Sequence, residues 1–376
     1  MREFCGGQEF GQNAFMRAVT ETEWIIGKAN ELGFDLCGVM SVDSLDAAGH
    51  LKEWLDRGYA GQMKYMHDPR RADIRQVLPD AKTVIVCAMN YNTDHAISTE
   101  AAAQAANGTA RAWISRYAWG DDYHKIVGKK LEELIASMRG HFTQPWEARA
   151  YADTGPLSER AIAAQAGLGW QAKNTCLINE KLGSCLFLGV ILTSLELKGS
   201  NPFSAPASDL CGNCSLCVDA CPTGALIEPY VMDARRCIAY LTIELRESIP
   251  EDLRARMGWH VFGCDICQDV CPWNRKAAPS SNPAFQPRDK FIAPELSWLL
   301  SLGEEQFRRF FSGSPVKRAK WRGMMRNACI AAGNVAVQYA SDAPERLQLR
   351  QRLDELAQST DALIAEHARW ALARLG

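Results

Sequence analysis

The chain has 376 residues, 47% of them hydrophobic and 23% charged, with a net charge of −2. That length allows two or three ordinary domains, and the near-neutral balance excludes a global field drawing the chain to nucleic acid or membrane. The longest apolar runs, 84–89 and 185–192, are strand length, far short of a membrane span.

In chain order, Thr20 and Glu23 predict a capping box for a helix over 20–33, which Gly33 ends. Residues 36–40 and 83–89 read as buried strands, and 44–57 and 121–139 as helices, the second stopped by Gly140. Residues 97–109, ISTEAAAQAANGT, read as a surface loop or weak helix. Asp122-Tyr123-His124 followed by Gly128 falls one residue short of the corrinoid motif D-x-H-x-x-G, so no cobalt-ligating histidine is read there. An ordinary structural histidine is the competing reading of His124. Residues 146–152 read as a strand ending at Asp153, and 158–166 as a short helix. Residues 175–179 and 184–193 suit a hairpin around Lys181-Leu182-Gly183. Residues 1–200 are thus expected to form an α/β (α+β) domain with a mixed sheet. No G-x-G-x-x-G follows a strand, so a Rossmann site is unsupported.

After a linker at 201–208 come the most informative residues. Cys211, Cys214, Cys217 and Cys221-Pro222 form C-x2-C-x2-C-x3-C-P, and Cys264, Cys267 and Cys271-Pro272 form C-x2-C-x3-C-P. This reads as two [4Fe–4S] clusters, with the fourth cysteine of each run crossing to the other cluster. Val261 stands where the second run would begin, and Cys237, on a helix expected at 233–246, replaces the missing ligand. The expected sets are Cys211, Cys214, Cys217 and Cys271 for one cluster, and Cys221, Cys237, Cys264 and Cys267 for the other. Zinc prefers separated pairs, and a triple run wastes a ligand on a tetrahedral ion. A disulfide framework is disfavoured, because MREFCGGQEFGQNAF shows no apolar export segment or twin arginine; fourteen cysteines then imply a reducing cytoplasm. Cys5, Cys37, Cys87, Cys176, Cys185 and Cys329 are left over and read as buried thiols.

Residues 279–288, with Pro279, Pro283 and Pro287, read as a second linker. From Pro294 everything reads helical; 324–338 and 360–375 share a small-apolar spacing like that of HEAT-type repeats. Residues 308–326 hold seven Lys/Arg, no acid, and Phe310, Phe311 and Trp321. Such a stretch fits phosphate contact by Lys317, Arg318, Lys320 and Arg322 together with base stacking, against the plainer reading of a solvated face.

Three further segments carry a resemblance. Tyr151-Ala-Asp153-Thr-Gly-Pro-Leu-Ser158-Glu-Arg160, Ala166-Gly-Leu-Gly-Trp170-Gln-Ala-Lys173-Asn174 and Arg116-Tyr-Ala-Trp-Gly-Asp-Asp-Tyr-His124, taken with the cysteine runs, closely resemble the epoxyqueuosine reductases. The resemblance runs from about residue 20 to the helical C-terminus. It implies a cobalamin-dependent, two-cluster oxidoreductase, related in core chemistry to reductive dehalogenases. Such an enzyme removes the epoxide oxygen of epoxyqueuosine at the wobble position of tRNA, the last step of queuosine synthesis. It implies a cobalamin domain at 1–200, a ferredoxin-like domain at 209–280 and a HEAT-like tail at 290–376. Base-off cobalamin is expected over the second cluster, against Asp153, Lys173, Asn174, Leu177, Ile238, Thr242, Cys264 and Asp265. Asp153 resembles the family's proton donor, and in a dry corrin pocket its pKa would rise; the competing reading is a cap on the helix near Ser158. Arg116 and His124 join the basic stretch as candidate tRNA contacts. The implied partners are tRNA and an external flavodoxin or ferredoxin donor, with the chain a monomer off the membrane. Two alternatives are a corrinoid dehalogenase of small organohalides and an electron-carrier or tRNA-binding protein without a reaction of its own. The basic stretch argues against the first and the large N-terminal domain against the second.

Overall fold

The structure is a computed structural model that describes residues 19–46, 49–105, 108–197 and 208–376, with backbone alone for 102–105. Cys5 and nearly all of the 201–208 linker lie outside the described residues.

Helix α1 (Glu21–Glu31) starts at the expected capping box: Glu23 N–H donates to Thr20 Oγ1 and Thr20 N–H to Glu23 Oε2. Gly33 follows at φ +87°, a left-handed turn that suits glycine. Strands β1 (Leu36–Ser41), β2 (Thr83–Asn90), β3 (Ala148–Tyr151) and β4 (Leu186–Thr193) form one sheet in the order β1-β2-β4-β3. Every neighbouring pair in it is antiparallel, which corrects the mixed sheet expected. β2 is buried along its whole length because both faces are covered. Ile85, Cys87 and Met89 face α1 and the long helix α2 (Tyr123–His141). Val84, Val86 and Ala88 face helix α3 (Glu159–Gln165), with Ile162 and Ala163. Period-two alternation therefore survives in a strand whose sequence is uniformly apolar.

Several expected boundaries shift. The helix at 44–57 is reduced to one turn at Val42–Ser44 and a helix at Leu51–Asp56. Gly140 does not stop α2; Trp24 stacks on His141 with centroids 3.9 Å apart and holds the last turn. Residues 98–105 are helical. The hairpin at 175–193 does not form. Asn179 and Gly183 close a tight loop on each other, Leu177–Ile178 turns back to pair with Trp170–Gln171, and β4 enters the middle of the sheet. An all-apolar strand gains more there, where both faces are dry, than beside a two-residue partner. The 279–288 segment is packed: Phe285 is buried, and Asn90 Nδ2 donates to Ala278 O.

Cys237 is not inside a helix. It caps helix α4 (Ile238–Ile243) from outside, in extended conformation, after a single turn at Ala234–Arg236. The tail is helical as expected, with Leu296–Ser301 and Glu304–Phe310 followed by α5 (Lys320–Ala336), α6 (Pro344–Ala357) and α7 (Ala362–Leu375). α5 and α7, whose shared spacing suggested a repeat, lie against each other. A Cβ on Gly333 would fall 2.8 Å from Ala371 Cα, so only glycine permits that approach. One core runs through all three segments: Trp113 and Trp119, Val261 and Phe262, and Leu299, Met324 and Ile364 are buried together. His260–Phe262 also pairs in parallel with Trp113–Ile114. Among the described residues no helix is long and apolar enough to cross a membrane.

Candidate functional site

The first cysteine set converges. Cys211, Cys214, Cys217 and Cys271 line one cavity of about 240 Å³, walled by Ile178, Leu210 and Trp273. Four thiols around an apolar space of that size fit a cubane cluster. Trp170 Nε1 lies 3.5 Å from Cys211 Sγ, a donor of the kind that tunes cluster potential. The second set is also a neighbourhood: burial first, then the charges of Cys237, Asp265 and Cys221, push the Cys264 thiol up, and Cys267 is raised first by its hydrogen bond with Cys176, then by burial and by the charges of Cys176, Cys264 and Cys237. Ala225 N–H donates to Cys221 Sγ at 3.2 Å.

The expected corrin contacts divide. Lys173 Nζ donates to Gly212 O at 2.5 Å and Cys214 O at 3.0 Å, while Asn174 Nδ2 donates to Cys267 O at 3.2 Å. Two consecutive residues thus fasten the loops of both cysteine sets. Leu177 and Ile238 are buried. Thr242 Oγ1 donates to Ile238 O and accepts from Gly263 N–H. Asp265 is buried, and its carboxylate accepts from Trp113 Nε1, Ser115 Oγ and Arg116 N–H. It organises the backbone beside Cys264.

Asp153 stands on the loop between β3 and α3 at φ +58°, a conformation that costs a non-glycine residue about 1–3 kcal/mol and clusters at functional sites. Three contacts impose it. Arg71 donates to Leu157 O at 2.9 Å and Gly155 O at 3.3 Å. Asp153 N–H donates to Glu159 Oε1 at 2.7 Å. The Asp153 carboxylate accepts from Tyr123 Oη–H at 2.5 Å and faces His124 Nε2 at 3.6 Å. Gly155 follows because a Cβ there would sit 2.4 Å from the Tyr151 ring. The α3 cap position belongs to Ser158, so Asp153 does not cap that helix.

The electrostatics correct one expectation. Burial works to raise the Asp153 pKa, but the His124 ring and the Tyr123 hydroxyl outweigh it and hold the carboxyl below its ordinary value. Burial opposes the charged His124 ring, yet its hydrogen bond to Asp122 and the facing Asp153 push its pKa up to about 9. Glu159 is raised to about 8, by burial and then by the Asp153 charge. Near neutral pH these shifts favour a charged His124, a protonated Glu159 and an ionised Asp153, whose side chain is 63% exposed.

Arg160 links the two halves of the site. It donates to Thr175 O at 3.2 Å, and Cys176, Asp153, Tyr91 and Cys267 are the groups that act on its charge. Asp153 and Cys267 of the second cysteine set thus both act on one cation, Arg160, with Cys176 beside it. Tyr123, Glu159, Arg160 and Arg71 were not singled out by sequence reasoning. Ser158-Glu-Arg160 within the resembling segment was the available signal.

The basic stretch changes character. Arg326 is 0% exposed and donates to the carbonyls of Leu241, Leu245 and Glu247 at the end of α4. Phe311 is core, Phe310 packs against it, and Trp321 donates to Leu302 O, so these rings do not offer a stacking surface. Arg318 pairs with Glu244 at 2.6 Å and Arg322 with Asp361 at 2.5 Å, while Lys317 and Lys320 are exposed. Arg318 also stands over the Tyr65 ring and feels the Asp153 charge, which brings this stretch within electrostatic reach of Asp153. Arg116 is 6% exposed, and its guanidinium donates to Asn92, Thr93 and His95. Its geometry fixes that loop rather than presenting a charge to a phosphate.

Two sequence families match: the 4Fe-4S double cluster binding domain over residues 210–274, and the epoxyqueuosine reductase QueG domain (DUF1730) over residues 71–154. The chain is 40% identical to the epoxyqueuosine reductase of Pseudomonas aeruginosa over 348 residues, 92% of each chain. It is 45% identical to that of Gloeobacter violaceus, over 82% of this chain and 95% of the relative. Among solved structures, an epoxyqueuosine reductase with an epoxyqueuosine-modified tRNA-Tyr stem loop superposes with a TM-score of 0.81 at 28% identity, covering 94% of this chain and 90% of the other. A Bacillus subtilis epoxyqueuosine reductase, with its catalytic aspartate loop swung out of the active site, superposes with a TM-score of 0.78 at 28% identity and the same coverage.

Proposed function

The chain belongs to the epoxyqueuosine reductase family, and from that premise we propose how its own residues carry out the reduction of epoxyqueuosine to queuosine in tRNA. It is an oxidoreductase, and its paired cysteine sets hold [4Fe–4S] clusters. Base-off cobalamin in a concavity between Asp153 and the second cysteine set is the finer reading. When bound, it supplies the electrons that break the carbon–oxygen bonds of the epoxide. The observation that supports this reading is that Cys267 and Asp153 both act on the Arg160 charge.

The chain's own part is positioning and proton transfer. Asn174 and Lys173 fasten the loops of the two cysteine sets to one another, so the two clusters keep a fixed relation. Arg71 and Glu159 hold the loop that aims Asp153. Asp153 delivers a proton to the oxygen released from the ring, and Tyr123 and His124 fix its orientation and charge. The likeness to a relative solved with a modified tRNA stem loop supports tRNA as partner, with Lys317 and Lys320 as phosphate contacts. An external low-potential donor, a cytoplasmic setting, a monomeric chain and a HEAT-like role for the tail belong to the same proposal.

Asp153→Asn tests the assignment. Both clusters and the corrin spectrum should be retained while turnover falls by about 10²–10⁴, the range for a lost general acid. Normal turnover in that variant would remove Asp153 from the chemistry.

A further inference from the structure

Reduction of an epoxide to an alkene breaks two carbon–oxygen bonds, takes up two electrons and two protons, and releases water. One carboxyl can deliver one proton before it must be recharged. Asp153 is moreover held in its ionised form by its surroundings. The site therefore needs a proton store within reach of Asp153.

We propose that His124, oriented by Asp122, is that store: Nε2–H of the charged ring hands a proton to Asp153 Oδ2 for each of the two carbon–oxygen cleavages. The proposal rests on the assignment of Asp153 made above and extends it to the second proton. Asp122 caps α2 and accepts from His124 N–H at 3.2 Å and from Nδ1–H at 2.7 Å. That pairing fixes the ring plane and turns Nε2 toward Asp153 at 3.6 Å. A carboxylate on one ring nitrogen, with the other aimed at the group that exchanges the proton, is the geometry that orients and charges an imidazole in hydrolase triads. Tyr123 stacks on the ring with centroids 4.0 Å apart and donates to the same Asp153 oxygen, so ring and carboxylate keep a constant separation. The ring is 27% exposed, which lets solvent recharge it after each of the two cleavages.

The charges around this group favour a protonated ring. α2 contributes Asp122, with Lys125 one turn on. The loop contributes Asp153, and α3 contributes Glu159 and Arg160 behind it. Arg318 acts on Asp153 through its charge. In sequence, the balance is as follows. The first proton goes to the epoxide oxygen as the first carbon–oxygen bond opens, leaving a hydroxyl. His124 then reprotonates Asp153, and the second proton leaves with that hydroxyl as water. The electrons come from the donor that the reductase reaction already requires.

Two readouts test this on the full-length, cluster-loaded protein. Nitrogen-15 NMR of histidine in protein without substrate should show the His124 resonance, identified by its loss in His124→Gln, titrating near pH 9. A midpoint at or below the ordinary value of about 6.5 overturns the proposal. Single-turnover rates on an epoxyqueuosine stem loop should fall as pH rises through the same midpoint. His124→Gln should be slower by about 10²-fold or more at neutral pH and lose that limb, and Asp122→Asn should move the limb to lower pH. Unchanged stem-loop Kd in both variants separates proton supply from substrate binding. A His124→Gln enzyme with the wild-type rate and limb overturns the relay; if Asp153→Asn is still slow, the assignment of Asp153 stands without it. If His124→Gln does not fold, the wild-type resonance and the Asp122→Asn limb decide.

Discussion

Arg326→Met should loosen the grip of the tail on the second cysteine set. Arg326 is fully buried in α5 and donates to Leu241 O at 2.5 Å, Leu245 O at 2.8 Å and Glu247 O at 2.7 Å. These carbonyls belong to the end of α4 and the turn after it, and Cys237 stands at the start of that same helix. Methionine fills the space of the stem but donates nothing. Three charge-assisted bonds at about 1.5–3 kcal/mol each give a gross loss of about 4–9 kcal/mol. Against this stands the cost of burying the cation, whose pKa is lowered from 12.5 to about 10, first by burial and then by Arg246 and Arg322. That difference corresponds to about 3 kcal/mol. The net destabilisation is about 1–6 kcal/mol, or a fall in Tm of roughly 2–20 °C at the slope usual for large domains. Thermal unfolding by circular dichroism measures the shift. Electron paramagnetic resonance of the reduced protein should show the second cluster lost to a chelator faster than the first. A Tm within about 1 °C of the wild type would refute the reasoning.

Cys271→Ser should empty the first set and spare the second, because Cys271 lines the cavity with Cys211, Cys214 and Cys217 although it ends the other run; iron should fall from about eight to about four per chain. Loss of both clusters, or of the second alone, would reverse the assignment of ligands. Changing Lys317 and Lys320 together to Ala should flatten the salt dependence of tRNA binding by about 1.4–1.8 log units per log unit of salt and raise the KM for tRNA with kcat unchanged. An unchanged slope would make that face a merely solvated one.

The cysteine sets were legible because cluster ligation leaves a spacing that no other role imitates. Cys237, proposed as the displaced ligand, does lie within electrostatic reach of Cys221 and Cys264, although its place before rather than inside a helix was not legible: the one-turn element at Ala234–Arg236 has no periodicity to read. The capping box at Thr20 and the burial of β2 were equally local and equally visible. The order of the sheet was not, because the partner of β4 is decided by which faces end up dry, and that depends on helices far away in the chain. The direction of the Asp153 shift in the protein alone was hidden for the same reason. A dry pocket alone would raise its pKa, but Tyr123 and His124, adjacent in sequence and thirty residues away, reverse the sign. The basic stretch shows the opposite failure: seven cations in a row looked alike, while in the fold Arg326 is core, Arg318 and Arg322 are paired, and Lys317 and Lys320 remain free to meet a ligand.

The most direct test of the central claim is anaerobic reconstitution of the full chain with iron, sulfide and cobalamin, followed by reaction with epoxyqueuosine-bearing tRNA stem loop and a strong one-electron reductant. Nucleoside mass spectrometry should then show loss of one oxygen atom to give queuosine, and only when both clusters and cobalamin are present. Full conversion by protein with intact clusters and no cobalamin would contradict a corrin in the concavity between Asp153 and the second cysteine set.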